Sequence, residues 1–415
     1  MFLRLAISSL KNRKGSALLT LLAITVSIFV LLGVEQIRQQ AKSSFNNTVS
    51  GIDLIVGART GDINLLLYSV FRIGSASNTI SWQSYQNIAS NPSIAWTIPI
   101  SLGDSHQGYS VMGTTGDYFS YFRYGQDKPL AIKQGEIFTG VFDVVLGSDV
   151  ARELNYQLGD TLILAHGLGR TSFNQHTDNP FKVVGILEPT GTPVDQTLHV
   201  HLAGIDAIHS KGQSRVTTAS SNGTSQDINA AHSNPEAISA FMVGLKSRMA
   251  TFQLQRQINT YKYEPLRAIL PGVTLSQLWQ LMATVEHTLR LISALILLAS
   301  LLGLAAMLLA SIRERKEEIA VMRAIGASPW FILALIEAEA ALITFGAMLL
   351  AIMLLSFATV VSGNFLAERF SVFIDLNLFT MQSASYLLAV LTAALVTGLI
   401  PGVIAYRRAL HEQLA

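Results

Sequence analysis

Residues Arg313 to Pro329 read R-E-R-K-E-E-I-A-V-M-R-A-I-G-A-S-P. This densely charged stretch lies between two of the most apolar segments of the chain. Leu291 to Ile312 runs 22 residues without a formal charge, and from Trp330 the sequence is apolar again. At 1.5 Å per helical residue such a run crosses a hydrocarbon core of roughly 30 Å, so the charged stretch is a short loop between two membrane helices. Four of its residues are basic, Arg313, Arg315, Lys316 and Arg323, and excess Lys and Arg puts such loops on the cytoplasmic side. Helix formers fill its middle. Gly326 supplies a C-terminal stop, and Ser328-Pro329 the cap and first residue of the next helix. A helix exposed at the cytoplasmic membrane surface is a docking element for something soluble.

The order of these residues carries more than a charge bias. E-R-K-E-E-I-A-V-M-R-A-I-G-A-S, followed by Glu339-Ala340, resembles the cytoplasmic loop of the FtsX/MacB/LolC-type (type VII-like) ABC transporter permeases. In that family the loop is the coupling helix that sits on the partner ATPase. The resemblance therefore implies ATPase-coupling roles for Glu317, Glu318, Arg323 and Gly326. Two further stretches are similar to the same family. Val144 to Leu162 (V-V-L-G-S-D-V-A-R-E-L-N-Y-Q-L-G-D-T-L) with Phe181 to Asp195 resembles its outside core domain, and Gly398 to Leu410 (G-L-I-P-G-V-I-A-Y-R-R-A-L) its terminal helix.

Composition agrees with a mixed membrane and water-exposed chain. Of 415 residues 50% are hydrophobic and 13% charged, too apolar for an ordinary soluble enzyme. A net charge of +2 offers no concentrated basic face for nucleic acid. Without cysteine there is no disulfide, thiolate zinc site or catalytic thiol.

Taken in order, residues 1–14 are basic and acid-free with an apolar stripe, an interfacial helix on the cytoplasmic side. Residues 15–36 form the first membrane helix. A cleaved signal peptide is the competing reading of this N-terminus, but the apolar run is long and no A-x-A site follows it. Residues 37–287 alternate short β-like runs with helical stretches between polar stalks, an α+β domain outside the membrane, expected in two lobes. Within it, 211–236 is rich in Ser, Thr, Asn and Gly and reads as a mobile loop. Three more spans follow at 288–312, 329–361 and 383–406. The coupling loop 313–328, an outside loop 362–382 and a cytoplasmic tail 407–415 join and end them, and Pro401 should kink the last span. The fold class is thus membrane α-helical, four transmembrane helices, with a large α+β extracytoplasmic domain between helices 1 and 2. Both termini are expected inside the bacterial cytoplasmic (inner) membrane.

No Gly-Lys dipeptide occurs, hence no P-loop. ATP, and any cofactor chemistry with it, belongs to a partner subunit, and no catalytic residue is assigned. Glu337 and Glu339 fall inside the third span. Ionisable residues there are functional candidates, though an interfacial placement, facing lipid head groups or pairing with Arg323 near the cytoplasmic surface, fits them equally well. His199 and His201 share one strand face with His209 nearby, a weak candidate for metal ligation. Glu35 closes the first apolar run and reads as its outer boundary.

The resemblance implies a permease that couples a separate ATPase to export or extraction of an amphiphile such as a lipoprotein, peptide, macrolide or haem, by mechanotransmission. The implied partners are the ABC ATPase, a second copy or paralogous permease, membrane lipid, and a periplasmic adaptor or lipoprotein. A non-transporting regulator that activates a periplasmic partner such as a cell-wall hydrolase is the alternative. Metal-linked transport is a weaker one.

Overall fold

The computed structural model describes residues 2–48, 50–166, 179–213, 235–370 and 380–411. The chain divides into two compact units. One comprises Met1–Ala41, Met282–Phe365 and Ile374–Ala415; the other comprises Lys42–Leu281 and Leu366–Phe373.

The first unit is helical. Its elements are α1 (Phe2–Asn12), α2 (Lys14–Thr48), α3 (Pro271–Glu314), α4 (Lys316–Ala324), α5 (Pro329–Phe370) and α6 (Met381–His411). Four of these contain segments long and apolar enough to cross a membrane: Lys14–Ser43, Pro271–Glu314, Pro329–Val361 and Met381–Arg407. Apolar side chains recur every three or four residues along each one and meet in a shared core. Ile24, Ile28 and Leu32 of α2 face Leu301, Leu304 and Leu308 of α3 and Ile336, Ala340, Ile343 and Ala347 of α5. The opposite faces are apolar as well, with Leu18, Leu19, Leu22 and Val26 of α2 exposed. A helix that is hydrophobic all round requires lipid or another subunit. Because lipid tails are as apolar as leucine, packing rests on close approach, and the fully buried Ala340, Ala347 and Ala351 of α5 permit it.

The second unit holds an α+β domain. Besides several two-residue strands, its strands are β1 (Leu54–Ala58), β2 (Ile94–His106), β3 (Tyr109–Thr114), β4 (Ile132–Gly135), β5 (Asp143–Leu146), β6 (Phe181–Leu187), β7 (Thr197–His201), β8 (Ala240–Leu245) and β9 (Leu266–Ile269). They run in the order β9-β1-β8-β2-β3-β7-β5-β6-β4. The pairs β7–β3 and β5–β6 are parallel, while β2–β3, β1–β8, β1–β9 and β8–β2 are antiparallel. These nine lie in one sheet, with separate apolar clusters packed against its two halves. The long β2 accounts for the single sheet, because Ala240–Leu245 pairs with its first half and Tyr109–Thr114 with its second. Every residue of β1 is buried, as a strand covered on both faces must be.

Further differences from expectation lie at the ends of elements. Helix α5 continues to Phe370, so the first part of the 362–382 segment is helical rather than loop. Pro401, where a kink is expected, lies inside helix α6. Most of the Ser/Thr-rich 211–236 stretch, the 371–379 part of the outside loop and residues 412–415 lie outside the described residues.

Candidate functional site

Helix α4 is short and its residues are chosen by their position in it. Glu317 and Glu318 occupy its first turn and Arg323 its last, which matches acid to the positive and base to the negative end of the helix dipole. Its C-terminus closes by two backbone bonds, Gly326 N–H to the Arg323 carbonyl at 2.9 Å and Ala327 N–H to the Met322 carbonyl at 2.9 Å. That pairing is the Schellman motif, which requires a left-handed residue just past the helix. Gly326 supplies it at φ +100°. Space for a side chain is open there, so backbone conformation alone selects glycine. Ser328 Oγ then accepts from the Phe331 N–H at 3.3 Å and Pro329 begins α5.

No residue of α4 is buried. Ile319 is half-buried against the helical core, while Val321 and Ile325 are 60% and 80% exposed. Glu317, Val321 and Ile325 follow at intervals of four and line one outer face.

Arg315, at the N-cap of α4, holds the helix to its surroundings. Its Nε donates to Glu318 Oε2 at 2.6 Å, and its Nη1 donates both to Glu339 Oε1 of α5 at 2.9 Å and to Ser9 Oγ of α1 at 2.6 Å. Glu339 is 2% exposed and Ser9 is buried. Arg13 adds a second tie, donating to the Ser311 carbonyl at 3.0 Å and pairing with Glu314 at 2.9 Å.

The residues singled out in the sequence therefore separate. Glu317 lies on the open face, whereas Glu318 is engaged by Arg315. Arg323 turns back on its own helix end, its Nη1 donating to the Ala327 carbonyl at 3.0 Å. Of the readings open for the embedded acids, pairing with Arg323 does not hold for Glu339, which Arg315 holds instead. Glu337, on another face of α5, packs against α6, its carboxylate oxygens 3.1 and 3.2 Å from where a Cβ on Gly398 would lie.

A second charged cluster went unread in the sequence. Glu35, 4% exposed, accepts two bonds from Arg38 and one from Gln39 at 3.0 Å. Arg290 of α3 lies 3.7 Å from Glu35 and 3.9 Å from Glu286, and Arg38 lies 3.8 Å from Glu286. Gln39 also donates to Gln382 of α6 at 3.0 Å. Glu35 is thus one corner of a box of two acids and two bases that joins α2 to α3, rather than a boundary residue. The only signal was local: a Glu-Arg pair at i, i+3 and another at i, i+4.

The three histidines singled out in the sequence, His199, His201 and His209, do not converge. His199 is fully buried, stacks on Tyr118 with ring centroids 5.3 Å apart and faces the Val145 carbonyl through Nδ1 at 3.3 Å. That contact requires the proton on Nδ1. Burial, reinforced by the charge of Arg72, pushes the His199 pKa down to about 3. His201 Nδ1 accepts from the Ala203 N–H at 3.2 Å, and burial lowers its pKa as well. His209 pairs with Asp104 at 3.4 Å, which raises its pKa. No group of three metal-ligating side chains forms among the described residues.

Comparison with known proteins places this architecture. Residues 17–261 match the MacB-like periplasmic core domain and residues 290–414 the FtsX-like permease C-terminal domain. Among solved structures, the periplasmic region of MacB from Actinobacillus actinomycetemcomitans is 13% identical, with 56% of this chain and 97% of that one covered and a TM-score of 0.34. The extracellular domain of the noncanonic ABC-type transporter YknZ from Gram-positive bacteria is 13% identical over 52% of this chain and 98% of that one, with a TM-score of 0.30. No curated protein sequence matches significantly. The first family match alone spans more than half of the chain, and the chain belongs to the FtsX/MacB-type permeases, multi-pass membrane components of ABC transporters and related type VII-like systems.

Proposed function

We propose that this chain takes force from a separate ABC ATPase through α4 and uses it to export or extract an amphiphile at the inner membrane, by mechanotransmission rather than through an ion path. The observation that carries the reading is the construction of α4. It buries no residue of its own, is gripped at its start by Arg315 and presents Glu317, Val321 and Ile325 outward. An acidic and apolar face on an anchored helix suits a protein partner better than bulk water. Val321 and Ile325 supply apolar area to bury, and Glu317 sets register and partner choice.

An amphiphilic substrate is supported by a cleft of about 380 Å³ within the helical unit, between α2, α5 and α6. Its lining is apolar, Leu32, Phe345, Met348, Leu387 and Leu391 among others, with Gln36 and Ser383 as its polar groups. Such a surface accepts hydrocarbon and offers little to a hydrated ion.

Glu318 is committed to Arg315, so the clean test of docking is Glu317→Lys combined with Val321→Asp. Both sites are exposed, and neither substitution touches the helical core. The double variant is expected to insert normally yet fail to co-purify with its cognate ABC ATPase, a loss of at least about 100-fold in affinity for two central contacts. Co-purification at wild-type yield with full ATP-dependent activity would remove the docking assignment.

A further inference from the structure

We propose that Arg315 is the positioning residue that makes α1, α4 and α5 move as one body, so that the N-terminal amphipathic helix is a second arm of the coupling machinery. This inference rests on the docking reading given above.

The argument begins with the three acceptors of one guanidinium. Glu318 belongs to α4, Glu339 to α5 and Ser9 to α1. A guanidinium is planar, and its donors leave in fixed directions. Three acceptors on three elements, each within 2.9 Å, therefore fix the relative placement of those elements more tightly than apolar contact does.

The Glu339 bond is the one that resists separation. Glu339 is 2% exposed and lies in an apolar segment, and its carboxylate is held by Arg315. Pulling α4 away from α5 would strand that carboxylate without water, which is far costlier than parting an exposed pair. The α1 contact is reinforced independently, since Arg13, in the turn directly after α1, ties that end of the helix to Ser311 and Glu314 at the end of α3. Against this, the apolar anchorage of α4 is slight, with Ile319 half-buried against the helical core and Met322 half-buried as well, and α6 its neighbour. Displacing α4 must then carry α5 and α1 along, and Arg323, engaged with its own helix end, contributes nothing to the link.

The chain has no cysteine, so spin labels can be placed in pairs without background. Lys316→Cys on α4 is combined with Ala334→Cys on α5 or with Ser8→Cys on α1; all three sites are exposed. Distances are measured in the full chain bound to its cognate ABC ATPase, without nucleotide and after trapping with ATP and orthovanadate. In the parent background both distances are expected to stay unchanged between the two states, because the three helices travel together.

Arg315→Gln with Glu339→Gln removes the link without stranding a charge. This variant is expected to assemble with the ATPase, while the α4–α5 distance shifts on trapping and ATP-driven transport is lost. A merely stabilising pair would leave the distances of this neutral variant insensitive to nucleotide, and that result overturns the proposal while the docking reading survives. Ser9→Ala should release α1 alone, so that only the α1–α4 distance responds; no response removes the second arm. Should the double variant fail to fold, Arg315→Lys keeps a charge for Glu339 but not the planar fork. It is expected to loosen α1 from α4, and wild-type behaviour would count against the fork. A parent chain that binds no ATPase through α4 would end the docking reading and this inference together.

Discussion

Glu339, an acid enclosed in an apolar helix, takes its cation from 24 positions away, at Arg315, while Arg323 bonds its own helix end. Both arginines lie in the same basic loop, and which one faces α5 depends on the phase of α4 and on its closing turn. Neither can be read from charge spacing alone. His199 is a similar case, because a histidine in an H-x-H strand pattern looks exposed until both sheet faces are covered. Its burial has a measurable consequence. The folded state holds His199 neutral, with a pKa near 3 against 6.5 for the free side chain. A base whose pKa is depressed on folding contributes stability above its unfolded pKa and loses it as pH falls towards the folded value. Acidification from pH 6.5 towards 4 is therefore expected to lower the thermal stability of the full chain. One site titrating to pH 3 sets a ceiling of about 5 kcal/mol at 1.36 kcal/mol per pH unit. His199→Asn, which retains a donor for the Val145 carbonyl, should flatten that part of the pH profile. An unchanged slope would place the acid sensitivity elsewhere.

At the scale of elements, strand and helix types were legible and their joints were not. Lys182 to Leu187 and Phe241 to Leu245 read as strands from their short apolar runs, and strands run there over Phe181–Leu187 and Ala240–Leu245. Strand β4, reading I-K-Q-G, is exposed over most of its length and has no apolar pattern to announce it. The joint between α2 and α3 was missed for a different reason. A polar residue after an apolar run looks like the point where a helix meets water, but Glu35 is enclosed by Arg38, Gln39 and Arg290. Removing Glu35 leaves Arg38 and Arg290 facing each other with only Glu286 between them. Because Arg290 is partly exposed, the cost falls between that of an exposed pair and the roughly 3–5 kcal/mol of a fully buried one. Glu35→Gln is accordingly expected to destabilise the chain by about 1–2 kcal/mol in nanodiscs. Adding Arg38→Gln should recover part of that loss, because the stranded cation is then gone. If Glu35→Gln alone changes stability by only a few tenths of a kcal/mol, the box is a solvated surface network and α2 and α3 are joined by apolar packing alone.

At the scale of the whole molecule, the architecture was legible because membrane segments are the least ambiguous signal a sequence carries. Length and apolarity fix them with no knowledge of tertiary contacts. The joining of strands within the α+β domain was not, since only the pairing partners of Ile94–His106 show that one strand runs through both halves of the sheet. What the helices leave open is orientation, and the distribution of Lys and Arg argues it. Arg4, Lys11, Arg13 and Lys14 precede the first span, Arg313, Arg315, Lys316 and Arg323 lie between the second and third, and Arg407 and Arg408 follow the fourth. Four spans put these three segments on one side and the α+β domain on the other. All three carry excess base, so the arrangement satisfies the positive-inside rule at every crossing. Translocation of a large domain proceeds largely regardless of its charge, so the short loops decide the outcome. A reporter fused after Ser220 is therefore expected to be active only outside the cytoplasm, and one fused after Arg315 only inside it. Inverting the loop bias tests cause rather than correlation. Neutralising Arg4, Lys11, Arg13 and Lys14 together should yield a mixed population at the first fusion while leaving the second largely inside, because Arg313, Arg315, Lys316 and Arg323 still hold that loop. Activity of both fusions on the same side in the parent chain would remove the four-span arrangement. With it would go the placement of α4 beside a cytoplasmic ATPase.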